Sequence, residues 1–425
     1  MLDLRTIRED PGAARAALGR RGSAVAEALD RALALDERRR ALAHEVEALR
    51  AEQNRGSKEV GRAADGPARQ ALIARLGEVS AALKRLEPDL DEIGRELADV
   101  QARLPNPPDP TAPDGESDAD NVVVKHWGTP PEFDFPVRDH VELGELLGAI
   151  DMERGARTSG ARFAYLTGPA VGIQFALLRY ALDFALPRGF VPVVPPVLVR
   201  GEAMFGTGFL PADEAQIYVT REDDLYLVGT AEVPLASLHA GELLDAGSLP
   251  RRYLGYSSCF RREAGTYGKD TRGIFRVHQF DKLEMFAFVL PEESAAEHDR
   301  FLAHEEAWVQ SLGIPYRVVN VCVGDLGGSA AKKYDIEAWM PGQGAYREIT
   351  STSNTTDYQA RRLGIRVHEE AGNRTLHTLN GTLCAIGRTL IVLLENGQRE
   401  DGSVALPEAL HPYLPEQFRI LRPAG

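Results

Sequence analysis

Between residues 25 and 53, apolar side chains recur alternately three and four positions apart, at Val25, Ala28, Ala32, Leu35, Leu42, Val46 and Leu49, with Arg39 and Gln53 on the same seam. From residue 72 to residue 104 the spacing continues unbroken through Leu72, Leu76, Val79, Leu83, Leu86, Leu90, Ile93, Leu97, Val100 and Leu104. Such a repeat places one apolar stripe along a helix and calls for a second helix to cover it. Between the two seams, Gly56 to Pro67 gathers Gly61, Gly66 and Pro67, a breaker cluster that predicts a chain reversal. The pattern therefore predicts an antiparallel helical hairpin, a coiled coil, over about residues 25–104. At about 1.5 Å per residue it makes a rod on the order of 50 Å long. Pro88 falls inside the second helix and is expected to kink or divide it, because it lacks an amide and crowds the preceding turn.

After Leu104 the run PNPPDPTAPDGESDAD has no apolar period and cannot bury a core. It predicts a linker over 105–121 between a helical arm domain, 1–104, and a second domain, 122–425. In that second domain short β-like runs appear at 193–194, 217–219, 225–228, 275–277, 283–289, 316–323 and 334–339. Apolar helical stretches at 168–186, 293–312 and 383–395 separate them. The mixture indicates an α+β fold with an antiparallel or mixed sheet flanked by helices. A length of 425 residues suits two to three domains at about 150 residues each.

Charge sharpens this picture. The net charge of −14 excludes a protein that coats nucleic acid indiscriminately. Yet Arg50 to Arg85 holds eight bases and four acids, a local +4 on the predicted arm. A basic arm on an acidic body would attract a polyanion such as RNA to the arm alone; a solvated helix face explains the same charges equally well. No run of about 18 uninterrupted apolar residues occurs, and the start MLDLRTIRED lacks a signal-peptide pattern, so a soluble, cytoplasmic protein without a membrane partner is expected. Cys259, Cys322 and Cys384 are too scattered for a disulfide framework and read as free thiols.

Candidate chemistry lies in the second half. In Phe260-Arg261-Arg262-Glu263, followed by the polar loop AGTYGKDTRG, the guanidinium can grip a phosphate and the carboxylate a purine amino group. Phe280, on the returning strand, could stack on the base. A surface hairpin with a salt bridge carries the same residues. In Arg347-Glu348-Ile349-Thr350-Ser351-Thr352-Ser353-Asn354, strict alternation predicts Glu348, Thr350 and Thr352 on one face, and Glu348 with Ser351 forms an oxygen set suited to Mg²⁺. A Ser/Thr-rich edge strand would look alike. Asn380-Gly381-Thr382, leading to Gly387-Arg388, brings glycines and an arginine to a helix start, where phosphate is favoured. Thr230-Ala231-Glu232 and Glu284 place acids on a sheet, where each needs a cationic or hydroxyl partner, a ligand ammonium or a structural arginine. No zinc site is expected: HExxH is missing, and His298 and His304 read as exposed helix residues. Gly342-Gln343-Gly344 supports no Rossmann or P-loop reading.

Taken in order, the basic coiled-coil arm, TAE, FRRE with its loop, HQFDKLE, EITSTSN and NGTLCAIGR closely resemble the bacterial seryl-tRNA synthetases, class II aminoacyl-tRNA synthetases. The resemblance spans practically the whole chain. It implies a mainly antiparallel catalytic core, ATP-dependent activation of L-serine, and transfer of the seryl group to serine tRNA. It also admits selenocysteine tRNA as a second acceptor. A homodimer is implied, with an interface that includes the region of Pro196. By position, Arg261 would hold the α-phosphate and the serine carboxylate, Glu263 the adenine amino group, Arg276 the phosphates and Arg388 the terminal phosphate. Phe280 would stack on adenine, with Arg262, Val277, Ile349 and Thr350 completing the ATP site. Glu348 and Ser351 would ligate Mg²⁺, and Thr230, Ala231, Glu232, Arg261, Glu284 and Thr382 would form the serine pocket. The arm would offer Arg38, Arg50, Arg55, Lys58, Arg62, Arg69 and Arg75 to tRNA. Two alternatives are a synthetase-like paralogue charging a carrier protein, and a non-enzymatic RNA-binding coiled coil. A carrier protein needs no RNA-length arm, and a scaffold needs none of the catalytic motifs.

Overall fold

Asp3 and Asp10 accept the amides of Arg5 and Ala13 and so start two short helices, α1 (Leu4–Glu9) and α2 (Pro11–Gly19). Two long helices follow, α3 (Ser23–Arg62) and α4 (Pro67–Arg103). The computed structural model describes residues 2–264 and 272–424, which separate into a unit ending at Pro107 and a unit from Pro108 onward.

In the first unit α3 and α4 pack as the antiparallel hairpin, burying Ala32, Leu35, Val46, Val79, Leu83, Ile93 and Leu97. Three features depart from the sequence pattern. The first helix does not break at Gly56 but runs on to Arg62, and only residues 63–66 turn. Gly56 is a close-approach position, since a Cβ there would lie 2.6 Å from a methyl of Leu76 on the facing helix. At the root, Ala26 and Leu29 are buried in place of Val25 and Ala28, because α2 brings Leu18 and Gly19 against that side. Pro88 does not divide α4, where Leu83, Leu86 and Leu90 around it pack toward α3 in one cluster with Val46 and Val79.

The hairpin root carries a brace. Asp36 has a side chain only 3% exposed and accepts Arg8 at 2.6 Å, Arg40 at 2.9 Å and Arg39 at 3.5 Å. Burial would raise its pKa, but the hydrogen bonds from Arg40 and Arg8 win and lower it.

The second unit is built on eight strands: β1 (Val122–Trp127), β2 (Val191–Val193), β3 (Arg251–Phe260), β4 (Gln279–Val289), β5 (Tyr316–Asn320), β6 (Lys332–Met340), β7 (Ala345–Thr356) and β8 (His377–Ala385). Their order is β1-β5-β6-β7-β8-β4-β3-β2, antiparallel throughout except for the parallel edge pair β2 and β3. Helices α5 (His140–Leu146), α6 (Pro169–Ala185), α7 (Ser294–Ser311) and α8 (Ile386–Asn396) pack around this sheet. Their apolar faces close a core centred on Ile173, Leu177, Phe301, Trp308, Tyr316, Ile336, Leu383 and Leu390. The segment through α6 is long and apolar enough to cross a membrane; Ile173, Leu177 and Phe184 are buried in this core, while Val171 and Phe175 stay exposed.

Several expectations change here. Residues 109–115 are laid onto the second unit: Asp109 donates its amide to Ala331, Val323 donates to Pro113, and Ala112 joins a small core with Val321 and Val323. Residues 275–277 are irregular, and β4 starts only at Gln279. Residues 383–385 end β8, so α8 starts at Ile386. His298 is not an exposed helix residue. It is 2% exposed, with Nε2 3.1 Å from the Thr352 carbonyl, and burial pushes its pKa down to about 4. His304 is half-buried, and burial brings it to about 4 as well. No group of three or more His, Cys, Asp or Glu side chains able to hold a metal occurs among the described residues. All three cysteines are buried and free.

The brace generates a test. Asp36→Ala removes the acceptor shared by three guanidiniums and should destabilise the arm by about 1–3 kcal/mol, read by urea unfolding followed by far-UV circular dichroism. Because the folded-state pKa of Asp36 is lowered, its contribution is present above the unfolded carboxylate value near 4 and fades as pH falls below it. The variant should therefore differ least from the parent under acid conditions. An equal deficit across the whole pH range would show that Asp36 acts by packing alone.

Candidate active site

The outgoing limb of the polar loop begins where β3 ends. Phe260 and Arg261 donate their amides to Val228 and His278. The Arg261 guanidinium donates from Nε to the Gly229 carbonyl at 3.2 Å and lies 5.3 Å from the Phe280 ring. Gln216 pins the next residues, accepting the Ala264 amide at 3.0 Å and donating to the Ala264 carbonyl at 2.8 Å. Glu263 takes a left-handed backbone conformation, φ 51°, which turns its carboxylate to Arg276 at 2.6 Å. Arg262 is exposed, with its guanidinium 5.7 Å from the Tyr218 ring. Residues 265–271, most of the loop, lie outside the described residues.

A cavity of about 70 Å³ opens beside these groups, lined by Arg261, Glu263, Arg276, Val277, Phe280, Lys282, Glu348, Ile349, Thr382 and Arg388 among others. It adjoins a larger hollow of about 410 Å³ across Phe280 and Val277. Four cations thus face one space, each with a partner: Arg276 on Glu263, Arg388 on Glu348 at 2.9 Å, Lys282 on Glu284 at 2.6 Å, and Arg261 on a carbonyl and an aromatic face.

Strict alternation fails on β7. Ile336 pairs with Thr350 while Glu337 pairs with Glu348, so Ile349 is the extra residue of a β-bulge. The bulge takes Glu348 off the face of Thr350 and Thr352 and puts it on the face of Ser351. Thr350 turns the other way and donates to Glu305 on α7 at 3.1 Å, and Thr352 donates to the Asn380 carbonyl at 3.0 Å. Ser351 bonds the buried Asp335, which also pairs with Lys333 at 3.1 Å. Burial opposes ionisation of Glu348, but Arg388, Lys333 and Arg261 outweigh it and hold the carboxyl well below its ordinary range. Asp335 moves the other way, raised by burial and by the charge on Glu348.

The third group of candidates is deeper. Thr230, Ala231 and Glu232 are buried where a short helix, Glu232–Ser237, begins, and the Glu232 amide donates to the Thr230 hydroxyl at 3.2 Å. The carboxylate of Glu232 accepts from Gln359 at 2.7 Å and from Asn380 at 3.2 Å. Asn380 also reaches Glu284 at 3.3 Å, and Thr382 donates to the other oxygen of Glu284 at 3.3 Å. Burial, then the neighbouring Glu284, push Glu232 up to about 7 against the pull of Lys282. The cationic partner of the sheet acid is thus a lysine where a structural arginine was considered. Because Thr382 and Lys282 also line the cavity, this acidic pocket lies one hydrogen bond from it.

The structure therefore gathers Arg261, Glu263, Arg276, Val277, Phe280, Glu348, Ile349, Thr382 and Arg388 around one cavity, with Thr230, Ala231, Glu232 and Glu284 behind it and Ser351 on the strand face of Glu348. Arg262 and the Thr350 hydroxyl face elsewhere. Gln359, Gln216, Lys333 and Asp335 lie outside the sequence motifs, and Lys282 and Asn380, though inside them, carry no assigned role there. Only Lys282 carried a usable signal, because Phe280, Lys282 and Glu284 alternate along one face of β4.

Residues 1–108 match the family model of the seryl-tRNA synthetase N-terminal domain, and residues 217–397 match that of the class II tRNA synthetase core domain (G, H, P, S and T). The serine–tRNA ligase of Acidothermus cellulolyticus is 52% identical over 423 residues, with 100% of both chains covered. That of Thermobifida fusca is 52% identical over 415 residues, covering 97% of each. The crystal structure of seryl-tRNA synthetase from Pyrococcus horikoshii complexed with ATP superposes with a TM-score of 0.94 at 42% identity, covering 100% of both chains. The chain belongs to the seryl-tRNA synthetase family.

Proposed function

We propose that the cavity is the single site at which this serine–tRNA ligase activates L-serine with ATP and passes the seryl group to the 3′ end of serine tRNA. One observation carries the assignment of roles: Arg261, Arg276, Arg388 and Lys282 converge on one space beside a pocket of buried acids and a hydroxyl. Polyphosphate suits the cations, and a small amino acid bearing an ammonium and an alcohol suits the pocket.

In the first step a serine carboxylate oxygen attacks the α-phosphorus, and the bond to the bridging oxygen breaks to release pyrophosphate. Arg261 aligns the carboxylate with the α-phosphate, and Arg388 takes the terminal phosphate. Adenine stacks on Phe280, with Val277 and Ile349 at its edges. Its amino group replaces Arg276 as the partner of Glu263, which frees Arg276 for the phosphates. In the second step a ribose hydroxyl of the tRNA terminus attacks the acyl carbon, and AMP leaves. Alignment and charge stabilisation carry the first step, so no general base is required there.

The oxygen set beside the cavity fits Mg²⁺. The bulge brings the ionised Glu348 and the Ser351 hydroxyl to one face, and so few protein ligands suit an ion that completes its shell with phosphate oxygens and water. When bound, the ion would neutralise phosphate charge.

Serine is recognised by Thr230, Glu232, Glu284 and Thr382. Leaving the partner of the serine hydroxyl unpaired rejects alanine by about 10⁴-fold, whereas threonine is excluded by lack of room. The arm reads a distant feature of the tRNA by shape and phosphate, using Arg38, Arg50, Arg55, Lys58, Arg62, Arg69 and Arg75. Apolar side chains left exposed on α6 and around β2, namely Phe175 at 59% and Val194 at 81%, support a homodimer through this face near Pro196. The enzyme acts in the cytoplasm.

Three outcomes test these roles. Arg261→Ala should abolish serine-dependent ATP–pyrophosphate exchange, at least about 10³-fold in kcat/KM, and near-normal exchange would remove Arg261 from the chemistry. Replacing residues 46–90 by a short glycine linker should leave exchange largely intact but cripple tRNA aminoacylation, and equal loss of both would refute separate roles. Because Glu232 titrates near 7 and only its ionised form attracts the substrate ammonium, the KM for serine should rise as pH falls from 8 to 6. Glu232→Gln should flatten that dependence while raising KM throughout.

A further inference from the structure

The limb that returns from the loop carries Arg276 and Val277, yet no strand pairs with it before Gln279. Besides the His278 backbone, which bonds Arg261 and Arg162, and the Arg276–Glu263 pair, the limb is anchored by the first residue of α5. His140 is 4% exposed, and its Nε2 accepts the Ile274 amide at 3.2 Å. Its Nδ1 lies 2.9 Å from the Glu395 carboxylate on α8, whose same oxygen accepts the His140 amide at 3.0 Å. The other oxygen of Glu395 accepts the Gly342 amide from the β6–β7 turn at 2.9 Å.

These partners fix the ring. A backbone amide can only donate, so Nε2 carries the lone pair and Nδ1 carries the proton that Glu395 accepts. The limb also passes too close to the ring to be held there by chance. Gly273, at φ +77°, runs so near that a Cβ would lie 2.0 Å from Nε2. Arg272 adds ion pairs to Asp139 at 3.3 Å and Glu142 at 3.8 Å on the same end of α5. Beyond Ile274, Phe275 has the Arg347 guanidinium 4.2 Å and the Arg388 guanidinium 4.7 Å from its ring centre. One ring therefore connects the nucleotide-facing limb to the helix that bears Arg388 and to the turn that precedes Glu348.

We infer that His140 is a positioning residue for nucleotide binding: its neutral ring, oriented by Glu395, holds the Ile274 amide and thereby sets the Ile274–Val277 limb against the cavity. The inference rests on the reading that Arg276 and Val277 hold ATP. His140 touches no substrate, so its effect must travel through Ile274.

The test compares two substitutions in the full-length enzyme. Asparagine reaches only the Nδ1 position and loses the Ile274 contact, whereas the longer glutamine can present an acceptor near the Nε2 position. His140→Asn should raise the KM for ATP in pyrophosphate exchange by about tenfold and leave the KM for serine within about twofold, and His140→Gln should recover most of the loss. Hydrogen–deuterium exchange of the peptide covering 272–277 should quicken in the asparagine variant and not in the glutamine variant. An unchanged KM for ATP, or equal rises for both substrates, would overturn the inference. So would an Ile274 amide that exchanges at open-chain rates in the parent enzyme, a measurement that needs no variant to fold. Arg276→Ala separates the two levels: if it leaves the KM for ATP unchanged, the nucleotide assignment of the limb fails, while the exchange of Ile274 still judges the clamp.

Discussion

Positive charge can be concentrated in a protein cavity only where negative charge or carbonyl oxygen stands behind it, because water no longer screens the repulsion. The active site is arranged around that constraint. Arg276, Arg388 and Lys282 each lean on a carboxylate, Glu263, Glu348 and Glu284, and Arg261 leans on the Gly229 carbonyl and the Phe280 ring. These pairings stand in for a substrate. On the proposed assignment, an incoming polyphosphate offers the guanidiniums stronger partners, and the acids they leave would take an adenine amino group, a divalent ion and a substrate ammonium. The site is thus neutralised internally, and in the proposed reaction ligands would take over that neutralisation, which limits reorganisation. It also explains how a chain of net charge −14 can bind a polyanionic nucleotide: the acids that dominate its composition are in part what keeps the cations assembled.

Backbone hydrogen bonds then convert charge balance into geometry. The extra residue Ile349 rotates Glu348 onto the face of Ser351, where a regular strand would have left them apart. On the loop, Gln216 secures the outgoing limb through both groups of its amide, and His140 secures the returning limb at Ile274. The two anchors come from parts of the chain remote from the motif itself. Arginines placed by a flexible segment would lose entropy on binding, so fixing the limbs beforehand favours a productive alignment.

Much of this was legible in the residues because periodicity survives tertiary context where packing is regular. The heptad seams gave the hairpin, and its one error of register, at Ala26 and Leu29, arises where a third helix covers the root and the two-helix pattern no longer applies. Gly56 read as a breaker because composition cannot distinguish a glycine that ends a helix from one that admits Leu76. The motif residues around the cavity were visible as chemistry in order along the chain. What remained hidden was whatever depends on a non-local contact: the bulge at Ile349, which reverses the faces that alternation assigns, and the Gln359–Asn380 support of Glu232, made by residues far apart in sequence. His298 was misread for the same reason, since the Thr352 carbonyl that receives it lies on another element.

The arm illustrates why a count of charges overstates its use. Of the seven bases offered to RNA, Arg50 already pairs with Glu87, Arg69 with Asp65 and Arg75 with Glu52. Arg38, Arg55, Lys58 and Arg62 make no ion pair among the described residues. Exposed pairs contribute only about 0.2–1 kcal/mol each, so those three arginines can still be recruited, but each must first leave an acid that stays nearby and opposes the phosphate. The salt dependence of tRNA binding reports phosphate contacts through counterion release. Its slope should therefore follow the four unpaired bases, Arg38, Arg55, Lys58 and Arg62, more closely than the seven.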